Sequence, residues 1–541
     1  MRKPEIARQQ RANDRKKMIA ALQKKNDPLW QGYSYAAAMA EAASRVARLK
    51  RGNLPGDYPL LSGGDINLYG LFVERAARLI NPKGMVGLLV PSGIAADLGA
   101  SAFFKSVATT GRLAALLDFE NKKVFFPDVH ASFKFCAFAF GGKERKFSYT
   151  ECAFFLHKMD ELKDDERSFQ LTAKDFAVVN PNTGTAPIFR TQRDAELTRK
   201  IYNSFPVLVR HEPDPLNPQK VIEHKLYPVK YYRMFDMTND AHLFKKRDEL
   251  EADGFYPVAG NRLKKGKEEF MPLYEGKMVQ IYNHRAANII INPDNVKRPA
   301  QEEPAITEQL NDSNWLPKPQ FMVDVEKIEK SARYEWCVGF KHVTATTNVR
   351  TMIACVLPFC AVGNSLPLML ADNTSRGSYS DWAYLMLANL NSFAFDFSAR
   401  QKVQGQNFNW FILEQLPMID PKTYHLTRFG KKSAADIIKD EVLHLCYTAN
   451  DLEPFARDMG YQGEPVKWDE EDRRHRMARL DAIYFLLYGL SRDEADYILG
   501  TFPIVARHDQ EDHGRYLTRD LILAYMAAFT AGDTEARIAV R

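Results

Sequence analysis

The nine residues MVGLLVPSG, 85–93, constrain the fold more than any other stretch of the chain. They are uncharged, almost wholly apolar and bounded by glycine and proline. A run so short and so flanked reads as a buried β-strand. Upstream, INLYGLFVERAARLI (66–80) places Leu68, Leu71, Phe72, Ala76 and Leu79 on one face of a helix. Asn81-Pro82-Lys83-Gly84 ends that helix. Downstream, residues 100–109 have helical character, and LAALLDFE (113–120) and SFKFCAFAFG (132–141) are two further buried strands. Helix alternating with buried strand predicts a mostly parallel sheet covered by helices.

The rest of the chain is organised differently. At 541 residues it is long enough for about three or four units. Residues 1–60 form a basic helical segment, with Asn26-Asp27-Pro28 dividing it into two helices. Residues 61–180 hold the α/β pattern. The stretch NPNTGTAPIF near residue 180 reads as a linker, and 181–417 is loop-rich, aromatic and proline-rich. In that region KMVQIYNH, WCVGF and MIACVL are short strand candidates, and 380–417 turns helical. Residues 418–541 form a helical C-terminal region, charged and amphipathic from about 468 onward.

Net charge is +6, and it is concentrated at the start. Residues 1–50 carry twelve Lys and Arg against Glu5, Asp14, Asp27 and Glu41. Two readings fit this excess, a phosphate-binding surface and a solvated helix face. The six cysteines are scattered in apolar contexts without a Cys-x-x-Cys pair, as expected of reduced, buried thiols rather than a disulfide frame or a zinc site. No apolar run reaches the roughly 18 residues of a membrane span. The N-terminus lacks the apolar segment of a signal peptide. A cytoplasmic protein is expected.

Several segments resemble one family. DINLYGLFVERAARLINPKGMVGLLVPSG and LLDFENKKVFFPDVHASFKFCAFAF resemble the middle of the adenine-specific DNA methyltransferases of type IIG restriction–modification and related phage-defence systems. LYEGKMVQIYNHR (273–285), WCVGFKHVTATTNVRTMIACVLP (336–358) and LANLNSFAFDFSARQKVQGQNFNWFILEQLP (387–417) resemble that family's target-recognition region. LDAIYFLLYGLSRDEADYILGTFP resembles its tail. Lys341, Val349, Gln404 and Phe408 depart from the family's usual Arg, Glu, Gly and Leu. The resemblance implies an incomplete Rossmann-like methyltransferase sheet, then a mixed α+β target-recognition domain and a helical tail. It implies methyl transfer from S-adenosylmethionine to adenine in the complete enzyme. It also implies that Phe126, before Pro127, packs against an extruded adenine, since a methylase cannot reach a base inside the stack. Phe126 equally suits a core position beside Phe125.

Two segments that this chemistry needs are missing. No Gly-rich loop follows a strand, and no Asn/Asp/Ser-Pro-Pro-aromatic tetrapeptide occurs. Gly63-Gly64-Asp65 follows coil. The chain is therefore expected to bind double-stranded DNA but not S-adenosylmethionine by itself. A separate N-terminal methylase half or a nuclease is the implied partner. A split enzyme, a truncated product and a non-enzymatic specificity subunit all remain open.

Base reading needs two-pronged side chains: Arg for guanine, Asn or Gln for adenine. Lys341, His342, Asn348 and Arg350, in a threonine-rich stretch, are candidates to face DNA. So are Arg400, Gln401, Lys402, Gln404, Gln406 and Asn407, where Gly405 permits close backbone approach. Arg285 is a further candidate for a phosphate or base contact, or else a solvated residue at a strand end. Glu275-Gly276-Lys277 has nuclease-like Glu-x-Lys spacing, but Asp240 and Asp253 follow no apolar strand. The histidines are dispersed, with none in a His-x-x-x-His pair, and no metal is expected.

Overall fold

The computed structural model describes residues 3–7, 12–48, 56–62, 66–217, 220–292, 294–295, 300–372, 378–403 and 405–539. The chain forms two compact units. The first is Met1–Ala177 with Thr183–Ala186, and the second is Val178–Asn182 with Pro187–Arg541. The architecture is mixed α/β with several separate sheets. No helix among the described residues is long and apolar enough to cross a membrane. All six cysteines are buried, with no disulfide between them.

The first unit is built on five strands, β1 (Met85–Pro91), β2 (Leu113–Glu120), β3 (Lys134–Gly141), β4 (Thr150–Leu156) and β5 (Phe169–Leu171). Their order is β1-β3-β2-β4-β5. The three strands predicted from apolar runs are present, but the mostly parallel pairing is not. β3 is antiparallel to both β1 and β2, and β5 is antiparallel to β4. Only β2 and β4 pair in parallel.

The connections explain this. Between β1 and β2 the helix Ser101–Ala108 carries the chain back across the sheet, so those two strands run the same way. Between β2 and β3 there is no helix to make a crossover. Instead Lys122 and Lys123 adopt φ of 43° and 62° and reverse the chain. The Asn121 N–H then donates to Phe133 O at 2.8 Å, starting an antiparallel return. The Ser101–Ala108 helix buries Phe103 and Phe104 against Phe138 and Phe140 of β3.

The predicted helix 66–80 forms over Leu68–Leu79, with its faces inverted from simple expectation. Leu68, Phe72 and Leu79 are 69%, 71% and 69% exposed, whereas Glu74 is buried. Glu74 lies inside because its carboxylate accepts from the Leu60 and Leu61 N–H groups and from Arg78. A buried backbone donor is costly to leave unpaired, so the acid goes in and the leucines stay out. The adjoining edge strand β1 also leaves Met85 and Leu89 exposed.

In the second unit a four-stranded antiparallel sheet has the order Ala354–Pro358, Trp336–Phe340, Leu368–Ala371, Val229–Tyr232. WCVGF and most of MIACVL are strands as predicted. KMVQIYNH is not. It is a short 3-10 turn, Gly276–Met278, and a loop, and the strand is the preceding Glu268–Tyr274. Helix Ala383–Asn391 is buried along its whole length. Its partners include the C-terminal helices: the Tyr484 hydroxyl donates to Leu385 O, and the Asn389 amide to the Tyr488 hydroxyl. The charged tail thus closes the core of the second unit.

Candidate nucleic-acid interface

Strand Trp336–Phe340 runs into a loop at Lys341, and helix Phe393–Arg400 runs into a second loop at Gln401. The structure zips these two loops together. Thr344 N–H donates to Gln406 O at 3.0 Å, and Phe408 N–H to His342 O at 2.7 Å. Val343 and Asn407 form a bridge between them. His342 Nε2 lies 3.0 Å from Asn409 Oδ1. Two polar runs that are distant in sequence therefore share one surface. On it Asn348, Gln406 and Asn407 are exposed, with Lys341 and His342 half-buried. Burial pulls the Lys341 ammonium below its ordinary value.

Beneath the surface lies a layer of buried cations, and here several sequence expectations are corrected. Arg350 donates from Nε to Asp396 at 2.7 Å and from Nη2 to Asn391 O, and its guanidinium stacks 3.9 Å from the centre of the Phe393 ring. Asp396 also accepts from Thr351 N–H and Met352 N–H. Arg400 donates to Asn348 O, Val349 O and Thr501 O and lies over Phe502. Its burial lowers the guanidinium pKa to about 10.

Lys402 donates to Gln415 O at 2.8 Å over the Tyr202 ring, and burial pulls its ammonium well below the usual range. Gln401 is buried, and its carbonyl accepts from Ile188 N–H. Arg285, fully buried, donates to the carbonyls of Asp312, Trp315, Leu310 and Thr448. Arg285, Arg350, Gln401 and Lys402 are thus buried in the protein framework, and Arg400, 10% exposed, is engaged by it. A buried cation must be satisfied by its neighbours, and backbone carbonyls here do what phosphates or guanines were expected to do. Gln404 lies outside the described residues.

In the first unit the carboxyl ends of β1 and β2 meet. Ser92 Oγ donates to Asp118 Oδ1, and Phe155 N–H donates to Asp118 Oδ2 at 3.4 Å. Burial pushes the Asp118 carboxyl up. The buried Asn121 templates the next loop: its Nδ2 donates to Phe126 O and Val129 O, and its Oδ1 accepts from Phe126 N–H. This separates the two phenylalanines. Phe125 packs inward on Phe119 and Phe135, whereas Phe126 is 40% exposed and edge-on to Phe135. Phe155, at φ 55°, holds a strained left-handed conformation beside Lys134 Nζ, 4.3 Å from its ring.

Sequence reasoning passed over Asp118, Asn121 and Phe155. The aspartate inside the apolar run LAALLDFE was a readable signal for Asp118. Nothing in the sequence marks Phe155.

Among the described residues no group of three or more His, Cys, Asp and Glu is placed to hold a metal ion. Glu275 and Lys277 pair at 3.3 Å, and burial raises the Glu275 carboxyl. At the carboxyl end of the first unit's sheet the carboxylates are engaged by neighbours, Asp118 by Ser92 and Phe155, and Glu120 by Lys122 and His157.

No protein-family model and no curated protein matches this chain. Solved structures do. The type IIL restriction-modification enzyme MmeI, solved in complex with DNA, is 11% identical at a TM-score of 0.40, over 83% of this chain and 55% of that one. The type IIG restriction endonuclease BpuSI is 12% identical at a TM-score of 0.25, over 81% of this chain and 51% of that one. The chain therefore spans about half the length of each structure.

Proposed function

We propose that this chain is the DNA-recognition and partial catalytic portion of a site-specific adenine DNA methyltransferase of a restriction–modification or phage-defence system. Methyl transfer then requires a partner or a missing N-terminal half. One observation carries the reading: the zipped loops 341–350 and 401–409 present Asn348, Gln406 and Asn407 together, above cations engaged by the protein's own carbonyls and by Asp396. Exposed carboxamides on a rigid base have the chemistry to pair with the adenine edge in the major groove. Phe126, held out by Asn121, has the position for stacking on an extruded base. The engagement of Asp118 and Glu120 by neighbouring residues favours a second reading, a specificity subunit that binds DNA without chemistry of its own.

Selection of bound duplexes from a random-sequence pool tests the proposal. Enrichment of one motif is expected, with Gln406→Ala or Asn407→Ala relaxing it at single positions. A pool that emerges unenriched would refute it. Methyl transfer by the purified chain alone would refute its catalytic incompleteness.

A further inference from the structure

The basic N-terminal segment belongs to the first unit, and the described part of it includes a pair of helices. Helix Ala12–Lys24 is followed by the turn Lys25–Asp27 and helix Pro28–Arg48. The Lys25–Asp27 turn is fixed by Asn26 at φ 53° and by Asp27, which accepts from Leu29 N–H at 3.0 Å. The apolar residues of the first helix are turned inward: Met18 and Ile19 are half-buried and Leu22 is buried. Arg15, Lys16, Lys17, Lys24 and Lys25 are exposed.

Two carboxylates of the segment are engaged by other cations. Asp27 pairs with Lys3 at 2.7 Å, and Glu41 pairs with Arg45. None of the five cations forms an ion pair among the described residues. Two turns of helix separate Lys17 from Lys24, which sets them on one face about 10–11 Å apart at about 1.5 Å per residue. The cations thus fall in two clusters along a single rod.

The ligand that matches such a rod is a linear polyanion. Duplex DNA carries one negative charge per roughly 1.7 Å of axis, so clusters about 10 Å apart meet several phosphates at once. An anionic membrane is the weaker match. An interfacial helix needs an apolar face free to enter lipid, and this one is spent on internal packing. The exposed Tyr33, Tyr35 and Met39 sit instead on the second helix, whose Arg45 is already paired.

We infer that the helix pair 12–48 is a sequence-independent grip on the phosphate backbone of duplex DNA, distinct from the base-reading loops. It supplies affinity and salt dependence but no preference among sequences.

Anisotropy titrations of the full chain against two unrelated duplexes, over a salt series, test this. The set Arg15→Gln, Lys16→Gln, Lys17→Gln, Lys24→Gln and Lys25→Gln is expected to lower affinity at least tenfold for both duplexes equally. The slope of log affinity against log salt is expected to fall by about 0.9 for each phosphate that is no longer neutralised. A companion set with the four lysines changed to Arg controls for misfolding. It is expected to keep wild-type affinity, and circular dichroism of both sets to match wild type.

An unchanged slope in the Gln set, a loss confined to one duplex, or failure of the Arg set to bind would overturn the inference. So would wild-type binding to phosphatidylserine vesicles that depends on these cations while duplex binding does not. The base-reading proposal stands or falls separately, on motif enrichment by the same proteins.

Discussion

Arg350 and Asp396 decide whether the cations beneath the paired loops are framework or DNA contacts. Asp396 is fully buried and accepts from Arg350 Nε at 2.7 Å, Thr351 N–H at 3.0 Å and Met352 N–H at 3.2 Å. Asp396→Ala strands a buried guanidinium and two backbone donors. Breaking one side of a buried pair costs about 3–5 kcal/mol, a large share of the roughly 5–15 kcal/mol that holds an ordinary domain together. Arg350→Met keeps the volume and the packing on Phe393, and Asp396 retains its two backbone donors, so the expected cost is smaller, about 1–3 kcal/mol. The double variant is expected to be less destabilised than the sum of the singles, because neither charge is left alone. Urea denaturation of the three variants measures this, with duplex binding assayed well below each transition. Arg350→Met is expected to bind with a near-normal salt slope wherever it remains folded. If instead it kept full stability and lost discrimination against one base pair, Arg350 would face DNA, and the framework assignment would be wrong.

Other outcomes follow from the same geometry. Gln406→Ala and Asn407→Ala are expected to shift stability by less than about 0.5 kcal/mol while costing about 1–3 kcal/mol of discrimination at the base each reads; equal weakening on every sequence would argue against base reading. Phe72→Ser with Leu89→Lys is expected to reduce self-association in sedimentation velocity without lowering the unfolding midpoint, since both side chains are exposed; a drop in midpoint would show that they are packed. Burial and the neighbouring Glu223 raise the Glu414 carboxyl from 4.5 to about 7. Folding therefore favours its protonated form, and the associated stability is full below pH 4.5 and lost as pH rises through about 7. Glu414→Gln is expected to flatten that part of the stability–pH profile by on the order of 2–3 kcal/mol, and an unaltered profile would contradict the burial argument.

Local pattern determined three of the five strands of the first unit and the break between its N-terminal helices. The apolar runs at 85–93, 113–120 and 132–141 became β1, β2 and β3, and Asn26-Asp27-Pro28 split the N-terminal helices, because strand burial, helix period and helix-stop chemistry act over a few neighbouring residues. WCVGF was legible for the same reason. KMVQIYNH misled because a short apolar run does not reveal whether a partner strand lies beside it. What only tertiary structure decided was direction and company. The helix-free return at Lys122-Lys123 made β3 antiparallel, and Glu74 turned inward to reach the Leu60 and Leu61 amides, leaving Leu68 and Phe72 outside. The candidate interface divides likewise. The two polar loops were visible as polar runs, and their pairing was not. A guanidinium is satisfied equally well by a phosphate, a guanine or a carbonyl oxygen. The letters Arg285, Arg350 and Arg400 could not say which, and the distant carbonyls of Thr448, Asn391 and Thr501, brought close by folding, supplied the answer.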